Sequence, residues 1–287
     1  MSQVILVTGT STGMGKLTAL TLAKAGHTTI AAMRDTKGKN QAVAKELAAV
    51  RNIEVLDFDV TSDQSVEDGI GQVISKHGKI DVVVNNAGVA GFGVAEAYTL
   101  DQVRKMFDVN FYGVYRTYQA VLPHMRSAKS GLIINLSTGA SGFTLPFMVP
   151  YFASKFAMES LVEGFDLELK PYNIENVSIA SGVYPTEMNN GSKAGIGANK
   201  EAIVVAYGEE ATKRFEAMGG ALFGKMADFN MNPQTVADGI LNLIEMPKGT
   251  RPLRIAMDAV ALGADQEFMD TRAAMKDKWV KNYGFPF

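Results

Sequence analysis

The 287-residue chain has no cysteine, which excludes disulfides, thiolate catalysis and cysteine-ligated zinc and fits a reducing compartment. Histidine is scarce as well. The three, His27, His77 and His124, stand far apart, and each reads as a surface or helix-end residue rather than a ligand, so no metal is expected. No apolar run reaches the ~18 residues that a membrane span needs. The first strand begins at Gln3 or Val4, which leaves no room for a signal peptide, so the expected location is cytoplasmic with no membrane contact. Neither sign of charge dominates: 28 basic and 30 acidic residues are interspersed, and no like-charge run could follow a nucleic-acid backbone.

Against these absences stand 47% apolar residues, enough for a sizeable core, and 28 glycines. Three of those glycines are informative by position. The apolar run Val4-Ile5-Leu6-Val7 leads directly into Thr8-Gly9-Thr10-Ser11-Thr12-Gly13-Met14-Gly15. A strand feeding a glycine turn that opens a helix is a phosphate cradle: Gly9 allows the turn, Gly13 admits close backbone approach, and Gly15 permits tight helix packing. The spacing is not the common G-x-G-x-x-G, and a plain turn is the competing reading.

Strand-length apolar runs recur at 4–8, 28–33, 53–58, 80–85, 132–137, 176–180 and 253–257, with helix-period segments between them. This alternation predicts an α/β, doubly wound, Rossmann-type sheet of seven mostly parallel strands with helices on both faces. Val82-Val83-Val84 and Leu132-Ile133-Ile134 are continuously apolar, as strands buried on both faces must be. Helices are expected over 15–25, 40–50, 65–76, 100–125, 151–169 and from Asn232-Pro233 to Met246. Residues 1–258 are read as one catalytic domain. Within it, 187–231, rich in Gly, Met and Phe, reads as a mobile helical insertion that could cover a substrate. Residues 259–287 read as a tail, with Phe268, Met275, Trp279, Tyr283, Phe285 and Phe287 packing on the domain or on another subunit.

Tyr151-x-x-x-Lys155 places a phenol and an ammonium on one helical face. Such a pair arises easily by chance, but this one opens a helix just past the fifth strand, at the sheet's carboxyl edge. A nearby ammonium favours the phenolate, so Lys155 is expected to lower the Tyr151 pKa and let it exchange a proton with an alcohol oxygen. Asn85-Asn86-Ala87-Gly88 follows the fourth strand, where the amides can stitch neighbouring strands. Asn110 is a polar residue in an apolar helical stretch and needs a partner if buried.

In this order and spacing the residues resemble the short-chain dehydrogenase/reductase family, over residues 3 to about 258. The resemblance implies that Tyr151 is the general acid/base, that Lys155 holds the nicotinamide ribose and tunes Tyr151, and that Asn110 anchors a water relaying protons to Lys155. It also implies a cofactor lying along Gly9, Ser11, Thr12, Gly13, Met14 and Gly15, with Asp59 and Val60 at the adenine, Asn86, Ala87 and Gly88 at the adenosine ribose, and Tyr184 and Thr186 at the carboxamide. Homodimers or homotetramers are expected through the helices 100–125 and 151–169.

Two positions depart from the family. Its usual catalytic serine is replaced by Thr138, whose hydroxyl can make the same bond; Ser137, beside it, should face the other way by strand alternation. Ser181-Gly182 stands where Pro-Gly is common. For the cofactor, an NAD enzyme would place a carboxylate at Met33, whereas Arg34 can fork onto a 2′-phosphate, so NADP(H) is favoured over NAD(H). Asp35 keeps the alternative open. The expected activity is NADP(H)-dependent interconversion of a small hydrophobic carbonyl compound and its alcohol. The competing readings are an NAD(H)-dependent alcohol dehydrogenase, an epimerase or dehydratase of the same fold, and a non-catalytic NADP(H)-binding sensor or scaffold.

Overall fold

In the computed structural model, which describes residues 2–140, 142–188 and 195–286, the apolar runs form a seven-stranded, wholly parallel sheet. The chain runs β1 (Val4–Thr8), α1 (Gly13–Lys24), β2 (Thr28–Met33), α2 (Gln41–Ala48), β3 (Ile53–Asp57), α3 (Asp63–His77) and β4 (Val82–Asn85). There follow β5 (Gly91–Phe92), α4 (Leu100–Phe107), α5 (Gly113–Ala128), β6 (Gly131–Leu136), α6 (Val149–Leu169) and β7 (Ile174–Ser181). Last come β8 (Ile196–Gly197), α7 (Glu201–Ala206), α8 (Gly208–Asp228), α9 (Gln234–Glu245), β9 (Arg254–Met257) and α10 (Ala264–Tyr283).

The strand order is β3-β2-β1-β4-β6-β7-β9. The chain therefore winds outward from β1, returns across it and builds the second half from β4, so the crevice beyond the carboxyl ends of β1 and β4 is the switch point where ligands bind in such sheets. Side-chain alternation splits the core. Leu6, Val83 and Ile133 face a layer made by α3, α5 and α6, while Ile5, Val7, Val84 and Ile134 face α1 and α9. A chain of amides crosses the sheet inside this apolar body: Asn85 Nδ2 donates to Asn135 Oδ1 (2.9 Å), Asn135 Nδ2 to Tyr118 Oη (2.9 Å), and Tyr118 Oη to Asn176 Oδ1 (2.9 Å). The asparagines read as stitches in the sequence do stitch.

Two features depart from expectation, and the tail follows one of its two expected courses. The helix expected over 100–125 is two helices joined by a π-helical turn, Asp108–Tyr112, which inserts a residue without breaking the apolar stripe. Two short strands, β5 and β8, form a small parallel ladder of their own, outside the main sheet. The tail is a helix, α10, packed on its own chain: Met269 is buried, Phe268 meets Phe143 edge-on (5.7 Å), and Arg272 and Lys276 reach Glu163 on α6. Within the insertion read at 187–231, α7 and α8 are helical as expected, while residues 189–194, Gly191 among them, lie outside the described residues, as does Phe287.

The far end of α9 shows how one side chain closes a helix. Arg251 donates through Nε to the Leu243 carbonyl (2.6 Å) and through Nη2 to those of Ile244 (3.0 Å) and Met246 (2.7 Å), while Nη1 pairs with Glu175. These are carbonyls that a helix end leaves without intrahelical partners. Arg251→Met is expected to cost about 2–3 kcal/mol in urea unfolding, since charge-assisted bonds contribute ~1.5–3 kcal/mol and the carbonyls are then orphaned. A loss below ~0.5 kcal/mol would show that water replaces the guanidinium freely.

Candidate active site

The glycine turn is built for close approach. Gly9 has φ +71°, and a methyl on it would lie 2.8 Å from the Ala87 Cα; at Gly15 a methyl would lie 2.3 Å from Asn86 Nδ2 and 2.4 Å from the Gly9 carbonyl. Asn86 binds the turn in place, Nδ2 donating to the carbonyls of Thr8 (2.8 Å) and Gly9 (3.1 Å), while the backbone amides of Asn86 and Ala87 both donate to Thr8 Oγ1 (3.1 Å). The Asn86 side chain is thus spent on the turn rather than aimed at a ribose. Thr12 stands at the N-cap of α1 without a side-chain cap bond, the first turn of α1 holds no acidic residue, and Gly13 has φ +54° with Thr186 facing it, 3.4 Å from where its Cβ would be. Amides without a capping side chain and a space kept open by glycine fit a pyrophosphate, which would have to displace the Glu187 carboxylate that lies 3.6 Å from the Gly13 Cβ position. Ser11 and Met14 border the turn, Met14 packing on the α9 layer.

The other cofactor positions sort unevenly. Asp59 accepts from the amide and hydroxyl of Thr61 through Oδ1 (2.9 and 2.8 Å). Val60 packs against Gly113, and its carbonyl accepts from Arg116 (3.2 Å). The Tyr184 ring is buried in the core and its hydroxyl donates to the Met257 carbonyl (2.8 Å). At the end of β2, Met33 is buried in the layer under α1 and α2, and the Arg34 side chain is exposed. Asp35 has φ +54°; its carboxylate accepts from the Lys39 amide (2.8 Å) and fills the space beside Gly38, which turns it into its own loop.

Tyr151 and Lys155 are both buried on the first turns of α6. The Thr138 hydroxyl lies beside the Tyr151 phenol and favours its ionised form. Ser137 faces elsewhere: its hydroxyl is buried without a partner among the described residues, and its carbonyl accepts from Ser181 Oγ (3.0 Å). Lys155 Nζ donates to the Leu136 carbonyl (2.7 Å). Burial pushes the Tyr151 phenol up to about 12, opposed by the Thr138 hydroxyl, and burial pulls the Lys155 ammonium down to about 8, opposed by the charge of Glu159. On the phenol, desolvation is the largest influence, while the Lys155 ammonium is turned toward the Leu136 carbonyl.

Asn110 sits on the π turn, wholly buried, and spends its amide on two elements: Oδ1 accepts from the Val89 amide (2.9 Å), and Nδ2 donates to the Val89 carbonyl (2.9 Å) and to Ser154 Oγ (2.9 Å). Ser154 in turn donates to the Tyr151 carbonyl (2.7 Å). Gly88 lies between Asn110 and Lys155, its Cβ position 3.4 Å from Asn110 Oδ1 and 3.7 Å from Lys155 Nζ. Ser154 went unread in the sequence, although a small polar residue inside an apolar helix face next to the lysine was its signal.

Around Tyr151 the walls are apolar: Ala90, Tyr98, Met106, Met148 and Phe152 are buried with it, and Phe92, Met188, Ile196 and Met218 pack on them. α8 reaches over the loop before α6 through Met218 and through Phe215, which meets Phe147 edge-on at 5.4 Å. The β5–β8 ladder brings the other side of the insertion down, with the Ile196 amide donating to the Ala90 carbonyl (2.8 Å). No cluster of three metal-ligating side chains occurs among the described residues, and no described helix is long and apolar enough to cross a membrane.

A phosphate cradle, a Tyr-Lys pair and a clamping asparagine meet at one sheet edge, and the family model for short chain dehydrogenases matches residues 3–197. The chain belongs to the short-chain dehydrogenase family. This dehydrogenase is 37% identical over 184 residues to a 3-ketodihydrosphingosine reductase of Bacteroides thetaiotaomicron, a match covering 64% of the chain and 65% of that protein, just under two thirds of its length. It is 31% identical over 264 residues to retinol dehydrogenase 8 of Homo sapiens, covering 87% of the chain and 79% of the relative. Among solved structures, a short-chain dehydrogenase from Streptomyces avermitilis superposes with a TM-score of 0.77 at 28% identity, covering 98% of each chain. The protein thus has the Rossmann-type fold of that family.

Proposed function

We propose that this dehydrogenase is an NADP(H)-dependent carbonyl reductase acting on a hydrophobic ketone or aldehyde, with Tyr151 as the proton donor. The observation that carries the reading is the pair of hydroxyls of Thr138 and Tyr151, set against methionine-rich apolar packing on the helix that also carries Lys155. A carbonyl oxygen placed there accepts hydrogen bonds from Thr138 and Tyr151, and as charge builds on it the phenol, protonated at neutral pH, gives up its proton. The nicotinamide, when bound, supplies the hydride. Lys155, still largely charged at neutral pH, holds the ribose and steadies the phenolate left behind, and Asn110 fixes the Val89 loop and α6 in register. Domain and partner follow the same reading: residues 1–258 form the catalytic unit, and a homodimer or homotetramer uses the exposed Tyr112 and Tyr115 of the α5 face with α6.

NADP(H) is preferred because every β2-end group that could hold a ribose diol is occupied elsewhere. Met33 is buried, Asp35 is bound into its own turn, and the exposed Arg34 is left to meet a 2′-phosphate. The two relatives, a 3-ketodihydrosphingosine reductase and a retinol dehydrogenase, agree with a carbonyl–alcohol conversion. The test follows absorbance of reduced nicotinamide with apolar ketones and aldehydes, using each cofactor. Arg34→Gln is expected to raise KM for NADPH by about 10- to 100-fold, the loss of ~1.5–3 kcal/mol of charge-assisted bonding, with KM for NADH unchanged. Equal effects on both would overturn the assignment, and tight NADPH binding without turnover would favour a sensor.

A further inference from the structure

Tyr151, Lys155, Glu159 and Glu163 recur every fourth residue along α6 and so share one helical stripe. Glu159 is 1% exposed, as deeply placed as any core aliphatic, and the proton-transfer reading gives it no part. A carboxylate there is costly unless compensated. Its Oε2 accepts from Arg254 Nε on β9 (3.0 Å), its Oε1 from Ser178 Oγ on β7. Arg254, itself buried, also pairs with Glu163, which Arg272 (3.3 Å) and Lys276 (3.2 Å) reach from α10.

Lys155 has no carboxylate within salt-bridge distance among the described residues. Its neighbours are Tyr151 on the same helix, the Leu136 carbonyl of β6, and Gly88 and Asn110 on the other side. The carboxylate nearest to it along the stripe is Glu159, one helical turn on and buried with it, where an opposite charge favours the ammonium. We propose that Glu159 is a positioning residue that holds Lys155 in its charged form, and that Arg254 sets the strength of that hold by sharing the same carboxylate. The other titratable groups facing Glu159 are Tyr118 from α5, which its charge discourages from ionising, and Glu163 on α6, which shares Arg254 with it. A purely structural ion pair would leave the lysine's titration alone. This arrangement ties it to both partners with opposite signs.

The proposal rests on the reductase reading only for its kinetic readout. The direct measurement is a pH titration of the cofactor-free protein by ¹³Cε-lysine NMR, with the Lys155 signal assigned by Lys155→Arg. Glu159→Gln is expected to lower the Lys155 midpoint by about one pH unit, the size expected from a nearby opposite charge. Arg254→Met, which leaves Glu159 to act on Lys155 undivided, is expected to raise it. Either single variant strands a buried charge and can fail to fold; Glu159→Gln/Arg254→Met removes the pair together and keeps the site neutral. The double variant is expected to titrate low, like Glu159→Gln. An unmoved midpoint in the double variant, or shifts of the same sign in both singles, would overturn the proposal. The alkaline limb of kcat/KM is expected to move with each midpoint; NMR shifts without movement of that limb would uphold the Glu159 coupling and count against the catalytic role given to Lys155.

Discussion

Tyr151→Phe is expected to lower kcat by about 10²- to 10⁴-fold, the range that a positioned proton donor contributes, while leaving NADPH binding within a few fold. The separation follows from what the phenol touches. Its hydroxyl lies beside Thr138 against apolar packing, whereas the glycine turn is held by Asn86, which the phenol does not touch. Phenylalanine keeps the ring against Phe152, so packing is conserved and the lost atom is the acid alone. Single-turnover absorbance with saturating ketone, beside a fluorescence titration of NADPH, reads both quantities. Retention of most activity would remove Tyr151 from the chemistry.

Thr138→Ala is expected to cost about 10²- to 10³-fold in kcat, as removal of a preorganised donor to a developing oxyanion does, whereas Ser137→Ala should change kcat by less than about threefold. The two hydroxyls adjoin in sequence and point apart: one on the Tyr151 phenol, the other buried with no partner among the described residues. Thr138→Ser restores the donor without the methyl and should keep activity within a few fold. Equal losses for the alanine variants at 137 and 138 would mean that the chain rearranges there when substrate binds.

How much of this could be read beforehand varies by residue type. Strands were legible because burial on both faces demands unbroken apolar runs, and Val82-Val83-Val84 offers no other reading. The glycine turn and the Tyr-Lys pair were legible because chemistry imposes their spacing. The π turn was not, since one inserted residue near Asn110 leaves the surrounding periodicity intact. Tyr184 was placed by its motif, yet its ring went to the core, because position in a loop does not dictate which way a side chain turns. Asp35 looked like a ribose acceptor until its positive φ turned the carboxylate onto the Lys39 amide. Glu159 went unread in the sequence; Arg254 in an edge strand was the signal that a buried partner awaited it.

The central place of β1 has a consequence for the order in which the molecule can be made. Its partners β2 and β4 lie on either side, and the wall of the phosphate seat comes from Asn86 and Ala87, the Asn86 contact with Gly9 spanning 77 residues. As the chain leaves the ribosome, the glycine turn emerges first and stays without its opposite wall until β4 has been synthesised and has crossed over. A nascent fragment ending before Val82 therefore has strand, turn and helix in sequence but no stitched turn, and the loop closure that completes the seat is among the slower steps of folding.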